Sequence, residues 1–100
     1  MKKYLPIGKL TYAAGRDLSG VISDLLEEFR KVNVKSAVKW TAAYTRMYYA
    51  CRGCPDCKRI FLDELLDGMG TFCFPGTYVG YHIGDGADIG CWVQPQPDSE

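Results

Sequence analysis

Apolar residues recur along this chain with two different periods. From Leu18 the apolar positions are Leu18, Val21, Ile22, Leu25, Leu26, Phe29 and Val32. At about 100° per residue they fall on one stripe, with Asp24, Glu27, Glu28 and Lys31 outside it, and this spacing predicts a core-packing helix over 17–32. Gly15-Arg16-Asp17 turns the chain before it, and Asp17 is placed to cap the first turn. A second segment, 36–51, puts Ala37, Trp40, Tyr44, Met47, Tyr48 and Cys51 on one face and Lys35, Lys39 and Arg46 on the other. Val34, Val38, Trp40, Tyr44 and Tyr48 also lie at even spacing, and Thr, Tyr and Trp favour strands. A helix accounts for the separate basic stripe and a strand does not, so the segment reads as an amphipathic helix with its aromatics in the core. Pro55 suits the first position of a third helix and Asp56 its first turn. Phe61, Leu62, Leu65 and Leu66 form its apolar face over 56–67, and Gly68 is its expected stop.

Beyond Gly68 the pattern changes. Seven of the eleven glycines lie at or after that position, which disfavours further regular helix. Residues 71–74, 77–83 and 88–94 read as three strands, separated by Pro75-Gly76 and by the run Gly84-Asp85-Gly86-Ala87. Lys9–Ala13 supplies a fourth. The expected fold is α+β: three helices packed on a small antiparallel sheet of three to four strands, arranged as a meander. Residues 1–94 form one domain, and 95–100 a flexible polar tail.

Composition narrows the class. A chain of 100 residues with 47% hydrophobic and 13% aromatic residues fills a single core. A core of that size is marginal, so a metal or a crosslink adds noticeably to it. No apolar run is long enough to cross a membrane, and the first residues lack the apolar stretch of a secretory signal, so the expected setting is cytoplasmic and reducing. The net charge is zero but unevenly spread: residues 1–52 carry ten Lys/Arg and four Asp/Glu, residues 53–100 two and eight. Such a field orients a charged partner.

The most pointed chemistry is the run Cys51-Arg52-Gly53-Cys54-Pro55-Asp56-Cys57-Lys58. In a reducing setting clustered cysteines bind metal or do thiol chemistry more often than they form structural disulfides. Zinc takes four ligands in a tetrahedron, and thiolates spaced about two residues apart on a tight turn reach one ion. Cys51, Cys54 and Cys57 are three candidate ligands, with Cys73 as the fourth and Cys91 or His82 as its substitutes. A structural zinc held this way pins the helical half to the sheet half. An iron–sulfur cluster needs a fourth Cys at a closer spacing. Burial of the cysteines as small inert hydrophobes is the competing reading.

The run from Gly53 through Cys54-Pro55-Asp56-Cys57-Lys58, followed by Phe61, Leu62, Leu65, Leu66 and Gly68, resembles the active-site turn and helix of glutaredoxins over about sixteen residues. That resemblance implies a thiol–disulfide oxidoreductase with Cys54 as nucleophile, its pKa lowered by the helix N-terminus, and Cys57 as resolving thiol.

Arg30–Arg59 carries eight basic residues against one acid, with Trp40, Tyr44, Tyr48 and Tyr49 interleaved. Basic groups with aromatics suit nucleic acid, but most of these aromatics lie opposite the basic stripe and only Tyr49 sits near it. Lys35, Lys39, Arg46 and Tyr49 therefore read first as a surface for an acidic protein partner and second as a nucleic-acid face. His82 and the acids at Asp85 and Asp88 are explained by strand and turn structure. No convergent catalytic set besides the cysteines is visible. The leading functional expectation is a small cytoplasmic protein-interaction module, an inhibitor or adaptor such as a phage-type inhibitor of a host enzyme, stabilised by a zinc site. The glutaredoxin-like oxidoreductase and a nucleic-acid-binding protein are its alternatives.

Overall fold

The computed structural model describes residues 3–52, 54–82, 84 and 86–94. The elements follow in the order β1 (Gly8–Tyr12), α1 (Leu18–Val32), α2 (Val34–Cys51), α3 (Pro55–Met69), a 3₁₀ turn (Gly70–Phe72), β2 (Thr77–Tyr81) and β3 (Asp88–Val93). This is the α+β arrangement of three helices with a three-stranded antiparallel sheet.

Helix α1 forms where the periodicity places it. The Asp17 carboxylate accepts the Ser19 N–H at 2.9 Å, and Arg30 and Lys31 lie in the last turn, where the helix dipole favours cations. Val21, Ile22, Leu25, Leu26 and Phe29 are all buried. Asn33 then serves two helices. Its N–H closes α1 on the Phe29 carbonyl at 2.8 Å, and its side chain accepts the Ser36 N–H at 2.9 Å to open α2. This double cap starts α2 at Val34 rather than at 36.

Helix α2 ends at Arg52, which adopts the left-handed conformation (φ 54°) and donates its N–H to the Tyr48 carbonyl. Pro55 begins α3, as its fixed φ suits. Gly68, the expected stop, lies inside α3, because Trp40 of α2 packs against it where a side chain would not fit: a Cβ there would stand 2.6 Å from the Trp40 ring. The helix runs on to Met69.

Residues 71–74 were expected as a strand and are not one. Gly70–Phe72 continues the helical hand as a 3₁₀ turn, the Leu5 N–H takes the Phe72 carbonyl at 2.9 Å, and the Phe72 ring packs edge-on against Phe29. Tertiary contacts here override the strand preference of Thr and Phe. The second expected strand stops at Tyr81; Ile83, the end of the expected span, and the tail 95–100 lie outside the described residues.

The sheet is not a meander through consecutive strands. Its order is β1-β3-β2, with β3 in the centre and antiparallel to both neighbours. A bulge between Lys9 and Thr11 shifts the β1 register, and Gly90 sits where β1 crosses most closely. Helix α1 packs on β1 and α3 on β2, while α2 lies against α1 and α3. Ile89 and Cys91 of β3 join Leu5 and the apolar faces of α1 and α3 in the core. Helix α2 is the outlying element, with Ala37 as its one buried residue, so the aromatic face expected in the core is only partly covered.

Candidate functional site

The three clustered cysteines meet where α2 hands over to α3. Cys51 is the last residue of α2, and its carbonyl accepts the Cys54 N–H at 3.1 Å, which closes the bend. Cys54 is the N-cap of α3, and its carbonyl takes the Lys58 N–H at 3.1 Å. Cys57 lies one turn into α3. All three are partly exposed.

The electrostatics of Cys54 and Cys57 differ sharply. No side chain makes a full capping hydrogen bond at this helix start. The N–H groups of Cys57 and Asp56 nonetheless face the Cys54 sulfur, and with the Cys57 thiol they pull its pKa below the ordinary thiol value, against the opposing pull of the Asp56 carboxylate. Cys57 moves the other way, pushed up to about 12 first by its hydrogen bond to the Cys51 thiol, then by burial and by contact with Cys54. The contacts therefore run Cys51–Cys57–Cys54, with Cys57 in the middle. Of the two, Cys54 is the sulfur whose thiolate the surroundings favour, and Cys57 the one whose proton they hold.

Polar neighbours frame the bend. Lys58 reaches the Asp17 carboxylate at 3.2 Å and lies over the Tyr48 ring, and Arg59 pairs with Asp56 at 3.4 Å. On its inner side Cys57 lines a cavity of about 310 Å³ between α2 and α3, walled by Trp40, Ala43, Met47, Ile60 and Phe61 with Glu64 at its rim.

Cys73, expected as a fourth ligand, does not join this set. It follows the far end of α3, and a helix of fifteen residues separates the two ends by about 22 Å. Cys73 instead faces Cys91 and Thr77. His82 packs edge-on against Trp92, and its Nδ1 accepts the Gly84 N–H at 3.0 Å. Among the described residues no group of three or more His, Cys, Asp or Glu side chains is placed to hold a metal ion.

The outward stripe of α2 is intact as a surface. Lys35, Lys39 and Arg46 are exposed and enter no ion pair among the described residues, and Tyr49 beside them is 76% exposed. One polar cluster had no sequence signal of its own. Arg16 Nη1 donates to Asp24 at 2.9 Å and to the Thr11 hydroxyl at 2.8 Å, while that hydroxyl donates to Asp24 at 2.9 Å. Thr11 is buried, so the trio ties β1 to α1 and satisfies a polar group inside. The only hint in the chain is a threonine among the inward positions of a strand followed by an arginine in the turn.

Comparison with protein-family models, with curated proteins and with solved structures finds no match for this chain.

Proposed function

We propose that the protein carries out thiol–disulfide exchange at the α2–α3 bend, with Cys54 as attacking thiol and Cys57 as resolving thiol. The observation that carries this reading is the placement of two sulfurs at one helix start: Cys54 is the N-cap of α3 with the Cys57 and Asp56 N–H groups facing its sulfur, which favours its thiolate, while the contacts of Cys57 with Cys51 and Cys54 favour its protonated form. The Cys54 thiolate attacks one sulfur of a substrate disulfide and expels the other as a thiolate, leaving a mixed disulfide. The Cys57 thiol then loses its proton, attacks Cys54 Sγ and expels the second substrate thiolate. The dithiol is oxidised by two electrons and the substrate disulfide becomes two thiols. The likeness to the glutaredoxin turn and helix supports the same roles. It is confined to the bend and α3, since the element before the bend is a helix and not a strand. A reducing, cytoplasmic setting keeps such a dithiol ready to act.

The test is the reaction of the reduced protein with hydroxyethyl disulfide, followed by mass spectrometry after acid quenching. Cys54→Ser abolishes the fast reaction, and Cys57→Ser accumulates a mixed disulfide at residue 54. A Cys54→Ser variant that reacts as fast as the parent removes the proposal.

A second reading rests on α2. Its exposed Lys35, Lys39, Arg46 and Tyr49 suit an acidic protein surface, as expected of an interaction module of inhibitor or adaptor type. Binding of a polyglutamate probe that weakens with salt, and is lost in a variant with all three cations reversed to Glu, supports it. A stronger response to a single-stranded oligonucleotide assigns the face to nucleic acid instead.

A further inference from the structure

We propose that Cys73 and Cys91 form a second, slow dithiol that closes to an intramolecular disulfide, stapling the turn after α3 to the central strand. The inference stands apart from the chemistry of the α2–α3 bend and rests on different residues.

The geometry begins with Thr77, the first residue of β2. Its hydroxyl donates to the Phe74 carbonyl at 2.7 Å, and its N–H reaches the same carbonyl at 3.1 Å, so the turn carrying Cys73 is drawn onto the start of the strand. Cys73 is fixed from the other side by its N–H on the Gly70 carbonyl at 3.3 Å. In β3, Cys91 lies opposite Val79, and its thiol donates to the same Thr77 hydroxyl at 3.5 Å. Cys73 packs against the core cluster that contains Cys91, and the two thiols touch beside Thr77. A sulfur on the turn after α3 and one on the central strand are thus brought together beside one hydroxyl.

Exposure sets the order of events. Cys91 is 0% exposed, and a reagent cannot reach it directly. Cys73 is partly exposed. A small disulfide, R–S–S–R, is the oxidant. The Cys73 thiolate attacks one of its sulfurs, a mixed disulfide forms and one R–S⁻ leaves. The Cys91 thiolate then attacks Cys73 Sγ, the Cys73–Cys91 bond forms and the second R–S⁻ leaves. The two protons from the cysteines end on the two departing thiols, so two protein thiols are oxidised as one disulfide is reduced. Burial, and next the contacts with Cys91, push the Cys73 thiol up to about 11. The pair therefore reacts well after Cys54, and the chain carries one fast dithiol and one slow one.

The experiment uses the full chain with Cys51, Cys54 and Cys57 all changed to Ser, so that only this pair remains. The protein is incubated folded with excess hydroxyethyl disulfide, quenched in acid, alkylated and digested. The expected result is a peptide pair joined through residues 73 and 91, and a melting temperature raised by about 10 °C or more over the reduced form, because the closed loop restricts the unfolded chain. Cys73→Ser in that background removes both the joined peptides and the gain. Recovery of a stable mixed disulfide at Cys73 with Cys91 still free overturns the proposal, as does recovery of both residues as free thiols. If the triple variant fails to fold, the parent chain given the same treatment decides the matter by whether the 73–91 peptide pair is found.

Discussion

Cys57 shows how far a single side chain is governed by its neighbours. Its spacing from Cys54 is legible in the sequence, and so is the helix start that favours a thiolate at residue 54. What spacing cannot convey is that the sulfur of Cys51, at the end of another helix, accepts a hydrogen bond from the Cys57 thiol. The same limit explains Cys73, whose place depends on where α3 stops. Changing Cys51 to Ala removes the largest influence on Cys57 and lowers its pKa from about 12. The mixed disulfide at Cys54 should then resolve several-fold faster near neutral pH, as followed by release of the second small thiol; an unchanged rate refutes the assignment of Cys57 as the resolving thiol. Asp24 offers a second residue-scale test. Hydrogen bonds from Thr11 and Arg16 hold its carboxyl below the ordinary value. Its folded pKa is therefore the lower one, so the stability it contributes is present above about pH 4 and is lost as pH falls through the folded value. The contribution is at most about 1 kcal/mol, since the side chain is 48% exposed and water screens the pair. Asp24→Asn should lower the urea midpoint at about pH 7, and the difference from the parent should shrink steadily as the pH is taken below about 4.

Among the elements, helices were the most readable, because a 3.6-residue stripe such as Val21 to Phe29 has one folded solution. The helix junction was less so. Asn33 holds both a carboxy-terminal and an amino-terminal cap, and the apolar pattern contains no trace of that double use. Asn33→Ala removes the side-chain cap of α2 and should destabilise the protein by about 1 kcal/mol in chemical denaturation, with most of the loss reversed in Asn33→Asp. The strand expected over 71–74 failed for a different reason: Leu5 and Phe29 engage Phe72, and neither is near it in sequence. The sheet carries its own test at Gly90. A Cβ there would fall onto the Gly8 carbonyl oxygen and stand 2.8 Å from Lys9 Cα, both backbone atoms that cannot swing aside. Gly90→Ala should cost several kcal/mol or prevent β1 from docking, which hydrogen exchange of β1 amides reports. Wild-type protection in that variant contradicts the close crossing.

At the scale of the molecule, the α+β class was readable and the strand order was not. Charge asymmetry and apolar content follow from composition, whereas the choice of β3 as the central strand depends on which edge accepts β1. The same order leaves α2 on the outside, so Tyr48, expected in the core, is exposed, while the cations and Tyr49 face solvent as the pattern placed them. Among the described residues no helix is long and apolar enough to cross a membrane. The placement of β3 has a consequence for how the chain is made. Of the described strands β1 is made first, and it pairs with β3, some eighty positions downstream. A nascent polypeptide can assemble its helices early but must hold Gly8–Tyr12 unmatched until Asp88–Val93 has been synthesised. A fragment halted at residue 87 should accordingly show helical circular dichroism without a cooperative melting transition, and a sharp two-state melt of that fragment would mean that the late strand is dispensable.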